Sequence, residues 1–132
     1  MSERLIGVVL AHADLARAFV SAVAAIAGDE HGLVPVSNDG CDRAALHARL
    51  DAAIAGHAAV IFADLPGGSC AFGGAAYMRD HANVRVVTGV NLAMLLDFAF
   101  RRAATPDQAA ARAVETGRHA VSAPVPPPGG AR

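Results

Sequence analysis

The chain alternates between two hydrophobic periods. Leu5-Ile6-Gly7-Val8-Val9-Leu10 is a short continuous apolar run, the pattern of a parallel strand buried on both faces. Asp14 then opens a helical stretch in which Leu15, Phe19, Val23 and Ile26 recur at steps of four, four and three, predicting one buried face. Gly28-Asp29 ends it. Leu33-Val34-Pro35-Val36 predicts a second strand at a sheet edge, because proline cannot donate to a ladder. After the turn cluster Ser37-Asn38-Asp39-Gly40, a helix is expected from about Asp42 to Ala55, with Leu46, Leu50 and Ile54 as its buried stripe and Gly56 as its stop.

Ala59-Val60-Ile61-Phe62-Ala63 predicts a third strand, closed by Asp64. The turn Leu65-Pro66-Gly67-Gly68-Ser69 leads into a helix reaching about Met78, and Val84-Arg85-Val86-Val87-Thr88 predicts strand four. A helix over Asn91 to Arg102 should face inward with Leu92, Leu95, Leu96 and Ala99. The last helix has a clear start in Thr105 as N-cap, Pro106 at its first position and Gln108 completing a capping box, and is expected to reach about Val121.

Strand and helix alternating at this spacing predict an α/β fold with a mostly parallel, doubly wound sheet in the order 2-1-3-4 and helices on both faces, with room for an extra antiparallel edge strand. With 132 residues, against about 100–200 for one domain, a single domain over 1–122 is expected, followed by a Pro/Gly-rich tail over 123–132.

Composition narrows the function classes. Eleven basic residues against twelve acidic leave a net charge of −1, charged residues make up 17%, and the aromatics are five Phe and one Tyr without Trp. A nucleic-acid binder needs a basic patch and stacking aromatics, so that class is excluded. Hydrophobic residues reach 54%, but much of that is alanine, and the longest apolar stretch, Ala18 to Gly28, is shorter than the roughly 20 residues a spanning helix needs. Ala11-His12-Ala13 after an apolar run resembles a signal-peptidase site, yet Glu3 cancels Arg4 ahead of it, and a buried first strand is the reading adopted. Cys41 and Cys70 form neither a CxxC nor a zinc spacing and are expected to be reduced thiols in the cytoplasm.

In doubly wound sheets ligands sit beyond the carboxyl ends of the strands, where the winding reverses. That rule selects His12, Ser37 to Asp39, Asp64 to Ser69 and Gly89 to Asn91. Imidazole is a nucleophile only through an unprotonated ring nitrogen, and a carboxylate on the other nitrogen decides which one that is. Asp64 ends the strand expected beside strand one, so it is placed to orient His12; a plain structural hydrogen bond is the competing reading. Gly67-Gly68-Ser69 lies at a helix start, where free N–H groups and the helix dipole favour an anion such as a phosphoryl group. Beside Asp64 and across from His12, this loop suggests a phosphorylated histidine. For other residues both readings stand: His47 and Asp51 as a surface i, i+4 pair or a metal site, Cys70 as a packing residue or a sensitive thiol, Asn91 as a site contact or a helix cap.

The stretches Gly7-Val8-Val9-Leu10-Ala11-His12, Asp64-Leu65-Pro66-Gly67-Gly68-Ser69 and Gly89-Val90-Asn91-Leu92-Ala93-Met94-Leu95 resemble the IIA domain of the mannose-type phosphotransferase system, and Ala113 to Arg118 looks like that family's last helix. The resemblance runs over about residues 4 to 121. It implies a flavodoxin-like fold, phosphorylation of His12, an orienting role for Asp64, a phosphate contact from Ser69, and a loop shaped by Gly67 and Gly68. It also implies a cytoplasmic homodimer that takes a phosphoryl group from phospho-HPr and passes it to a IIB component, here expected on a separate polypeptide. No metal or organic cofactor is implied, and the membrane enters only through IIC and IID partners. The chain departs from the family pattern at Ala11, at Ala13, in the segment Cys70 to Gly74 and at Ala93, which bears on loop shape and transfer rate. Two other uses compete: a regulatory phosphoacceptor uncoupled from sugar transport, and a nucleotide- or flavin-binding module. The second lacks both a G-x-G-x-x-G fingerprint and the aromatics to sandwich a flavin.

Overall fold

The computed structural model describes residues 4–129. The elements alternate as expected: β1 (Ile6–Ala11), α1 (Leu15–Ala27), β2 (Leu33–Ser37), α2 (Arg43–Ile54), β3 (Ala59–Ala63), α3 (Gly68–Arg79), β4 (Val84–Thr88), α4 (Leu92–Phe100) and α5 (Pro106–His119). The four strands form one parallel sheet in the order β2-β1-β3-β4. Among the described residues no antiparallel edge strand joins it. Residues 120 to 128 carry neither helix nor strand, and the last three residues of the expected tail, like the first three of the chain, lie outside the described residues.

The sheet divides the core in two. Val9, Ala11, Val60 and Phe62 point to the face covered by α1, α4 and α5, while Val8, Leu10, Ile61 and Ala63 point to the face covered by α2 and α3. β1 and β3 are central and buried on both sides, which explains why they read as continuous apolar runs rather than alternating ones. Pro35 is tolerated because β2 is an edge. At Gly7 the sheet meets α4 closely: a Cβ there would stand 2.6 Å from Leu33 Cδ2 and 2.7 Å from Phe98 Cε2.

Two helix faces differ from expectation. In α1 the sheet is met by Ala16 and Val23, with Phe19 and Val20 partly buried, whereas Leu15 and Ile26 are 42% and 61% exposed. An alanine-rich helix is apolar on most of its circumference, so spacing alone does not single out the buried side. In α4 the fully buried residues are Met94, Leu95, Phe98 and Ala99, with Leu92 and Leu96 only partly covered. The α2 stripe Leu46, Leu50 and Ile54 is buried as expected. α5 begins with the reciprocal bonds of a capping box, Gln108 N–H to Thr105 Oγ1 and Thr105 N–H to Gln108 Oε1, both 3.1 Å. Among the described residues no helix is long and apolar enough to cross a membrane.

Candidate functional site

Because all four strands are parallel, their carboxyl ends share one edge of the sheet. β1 and β3 are neighbours whose connections leave in opposite directions, to β2 on one side and β4 on the other, which makes the gap above them the switch point. Leu10 is in register with Ala63, so His12 and Asp64 emerge next to each other. Asp64 N–H donates to the Leu10 carbonyl at 3.2 Å and Asn38 N–H to the Ala11 carbonyl at 3.2 Å, tying the ends of β3 and β2 to that of β1.

A single carboxylate oxygen organises His12. Asp64 Oδ2 accepts from the His12 backbone N–H at 2.9 Å and stands 2.8 Å from ring Nδ1. Burial raises the Asp64 pKa, but the His12 amide, the ring hydrogen bond and the ring's charge together outweigh it and leave the carboxyl below its ordinary value. It is therefore an ionised acceptor at neutral pH. An ionised carboxylate has no proton to give, so Nδ1 must carry the hydrogen between them, and Nε2 of the neutral ring keeps its lone pair. The His12 side chain is 43% exposed and that of Asp64 only 8%.

Nε2 faces the start of α3. Gly68, the first residue of that helix, has φ +88°, which suits glycine, and a Cβ added there would stand 4.0 Å from both Cε1 and Nε2 of His12. The unpaired N–H groups and positive dipole end of α3 thus lie beside the nitrogen that is free to react. Gly67 is the N-cap, with extended backbone and open space around it, so nothing in the geometry demands glycine at that position. Ser69 is exposed, and its Oγ accepts from Asn38 Nδ2 at 2.9 Å, which anchors the loop to the end of β2.

Other contacts were not foreseen from residue spacing. Ser37 Oγ donates to the Ala13 carbonyl at 2.7 Å, bracing the turn after His12. Ala13 itself has φ +52°, a left-handed conformation that costs a non-glycine residue about 1–2 kcal/mol. Cys70 is fully buried with Sγ 3.7 Å from His12 Nδ1. Burial first, and the charge of Asp64 second, push its thiol up to about 11 against a smaller opposite effect of a Ser69 hydrogen bond. Without a metal the thiol is therefore protonated and inert, as a packing residue should be. Among the described residues, His12, Asp64 and Cys70 are the one group of three or more His, Cys, Asp or Glu side chains placed to hold a metal ion, with ligand atoms all within 4.8 Å of one another.

Asn91 belongs to the scaffold. Its Oδ1 caps α4 by accepting from Met94 N–H at 3.1 Å, and its Nδ2 donates to the Gly117 carbonyl of α5 at 3.0 Å. Asp51 accepts from Tyr77 Oη at 2.8 Å, and the His47 ring tilts against Tyr77 with centroids 5.0 Å apart. Of the strand-end groups singled out by topology, those after β1, β2 and β3 make these contacts with one another, whereas Asn91 after β4 bonds to helices.

Several solved structures share this architecture. A mannose/sorbose specific IIA subunit of the phosphotransferase system from Enterococcus faecalis matches with a TM-score of 0.84 at 23% identity, covering 95% of this chain and 98% of that one. A phosphotransferase system component EIIA from Streptococcus agalactiae matches with a TM-score of 0.83 at 18% identity over 90% and 96% of the two chains. A PTS IIA protein associated with the fucose utilization operon from Streptococcus pneumoniae gives 0.76 at 14% identity over 93% and 96%. At such identities these likenesses speak for the fold. A sequence comparison with curated proteins yields no match. The family model EIIA-man, described as PTS system fructose IIA component, matches residues 7–115, and the chain therefore belongs to this family of phosphotransferase system IIA components.

Proposed function

We propose that the protein is a phosphoryl carrier that accepts a phosphoryl group from phospho-HPr on His12 and passes it to a IIB component. The observation that carries this reading is the pairing of His12 Nδ1 with Asp64 Oδ2 at 2.8 Å, with Nε2 turned toward the start of α3. Nε2 attacks phosphorus in line, the N–P bond forms, and the bond from phosphorus to the donor breaks. The ring becomes cationic as it takes the phosphoryl group, and Asp64 stabilises that charge through Nδ1–H. The phosphoryl oxygens meet the N–H groups opening α3, in the Gly67-Gly68-Ser69 loop, with the Ser69 hydroxyl steadied by Asn38. Catalysis is then positioning and preorganised electrostatics, and the reverse sequence delivers the group to the IIB acceptor.

Leu15, Leu65 and Phe72 are large exposed apolar side chains in the segments that immediately follow His12, Asp64 and Ser69. Exposed apolar groups around a polar centre suit brief contacts with successive protein partners. A cytoplasmic homodimer, touching the membrane only through IIC and IID partners, accords with membership of the family.

The test is reconstitution with phosphoenolpyruvate, enzyme I and HPr. Wild type should acquire an acid-labile, base-stable phosphate, and His12→Ala, whose altered side chain is half exposed, should fold and acquire none. An unlabelled wild type, or label persisting on His12→Ala, would overturn the assignment.

A further inference from the structure

We propose that His12, Asp64 and Cys70 form a site for a thiophilic divalent cation, Zn²⁺ above all, and that its occupancy blocks phosphorylation of His12. The blocking half rests on the phosphocarrier reading; the binding half does not.

The donor set is an imidazole nitrogen, a carboxylate oxygen and a cysteine sulfur, all within 4.8 Å of one another. Sulfur and imidazole together select zinc over magnesium or calcium, which take oxygen ligands. Bonds of about 2.0–2.3 Å at tetrahedral angles place ligand atoms about 3.3–3.6 Å apart. Nδ1 to Sγ is already 3.7 Å, whereas Nδ1 to Asp64 Oδ2, held by a hydrogen bond, is 2.8 Å. Since 2.8 Å is too short for two ligand atoms of one ion, Asp64 would ligate through its other oxygen, Oδ1.

Asp64 supplies a second and independent sign. Its side chain is 92% buried, and among the described residues its Oδ1 has no hydrogen-bond partner. An orphaned, buried carboxylate oxygen is costly, and a cation beside it would satisfy it while Oδ2 keeps the His12 amide. The partly exposed His12 ring leaves one side of the cluster open to solvent, so three protein ligands and a water complete four-coordination.

Binding has a defined proton balance. The Cys70 thiol gives its proton to solvent as the Zn–S bond forms. Nδ1 gives its proton to solvent as the Zn–N bond forms, and Nε2 takes one up, so one proton is released per ion. The ring is now the Nε2–H tautomer with no lone pair on Nε2, and no N–P bond can form there. The cation therefore acts by fixing the tautomer opposite to the one Asp64 selects.

The experiment uses chelator-stripped full-length protein. Co²⁺ should bind with one equivalent and produce thiolate-to-cobalt absorption in the near ultraviolet, and Zn²⁺ should displace it. Cys70→Ala and His12→Ala should each bind at least about 100-fold more weakly, since loss of a direct ligand exceeds the 10–100-fold typical of outer partners. Cys41→Ala should bind like wild type. With purified phospho-HPr as donor, one equivalent of Zn²⁺ should lower labelling at least tenfold in wild type and in Cys41→Ala, and leave the ratio with and without zinc near one in Cys70→Ala. Absence of stoichiometric binding, equal affinity in Cys70→Ala, or labelling indifferent to bound Zn²⁺ each overturns the proposal. A wild type unlabelled even in chelator overturns the carrier reading instead, and the cobalt titration then still decides whether the site exists.

Discussion

Replacing Asp64 by asparagine preserves the size and leaves an amide oxygen able to accept both His12 bonds, 2.9 Å to the amide and 2.8 Å to Nδ1, but removes the charge. The second effect falls on the buried Oδ1, which among the described residues has no hydrogen-bond partner and would become an amide NH2. An opposite charge at this range shifts an ionisation by about 1–3 pK units, each worth about 1.4 kcal/mol. The same interaction stabilises the cationic ring that forms as phosphorus is transferred, so its loss should raise the barrier by about 1.4–4 kcal/mol and slow the step about ten- to a thousandfold. The carboxylate is 8% exposed but the His12 side chain 43%, so solvent screens part of the interaction and the slowing should lie in the lower part of that range, about ten- to a hundredfold. Rapid-quench labelling from purified phospho-HPr measures this step directly. Nitrogen-15 shifts of the His12 ring report the tautomer, which should be Nδ1–H in wild type and less fully so in Asp64→Asn, because a neutral amide oxygen accepts more weakly than a carboxylate. A labelling rate within threefold of wild type, in a variant that melts normally, would refute the orienting and charge-stabilising role of Asp64.

The Asp64 carboxyl also links stability to acid. Its folded-state pKa lies below the unfolded one, so its contribution is complete above about pH 4 and is lost as pH falls through the folded value. Denaturant titrations from pH 6 to pH 2 should show a shallower acid loss in Asp64→Asn than in wild type; parallel curves would contradict the linkage. Ala13→Gly should stabilise the fold by about 0.5–1 kcal/mol, because φ +52° strains alanine and not glycine, and a lowered urea midpoint would count against it. Gly7→Ala should destabilise by about 1–3 kcal/mol, because its Cβ meets Leu33 and Phe98 at 2.6 and 2.7 Å in a packed interface; an unchanged midpoint would show that the interface can yield.

Much of this protein was legible along the chain. The doubly buried strands, the edge strand with Pro35, the α2 stripe and the Thr105 capping box are all local patterns, set by periodicity, missing donors and side chains that bond within one turn. His12 and Asp64 could be singled out because each follows an apolar run directly, and topology sends strand ends to one edge. Alanine-rich α1 and nearly all-apolar α4 defeated the same reasoning, since a helix apolar around most of its circumference does not announce its buried face.

Only the tertiary structure decided how the strand-end groups meet. Asp64 serves the His12 amide and ring through one oxygen, and Asn38 holds Ser69 across 31 positions of chain. Cys70 approaches Nδ1 from 58 positions away, and Ala13 takes a left-handed turn. Sequence by itself determined the strands and helices and which polar residues stand at the strand ends, because residue type and local period are written in neighbouring positions. It did not determine their distances, which follow from strand register and the helix crossovers between them.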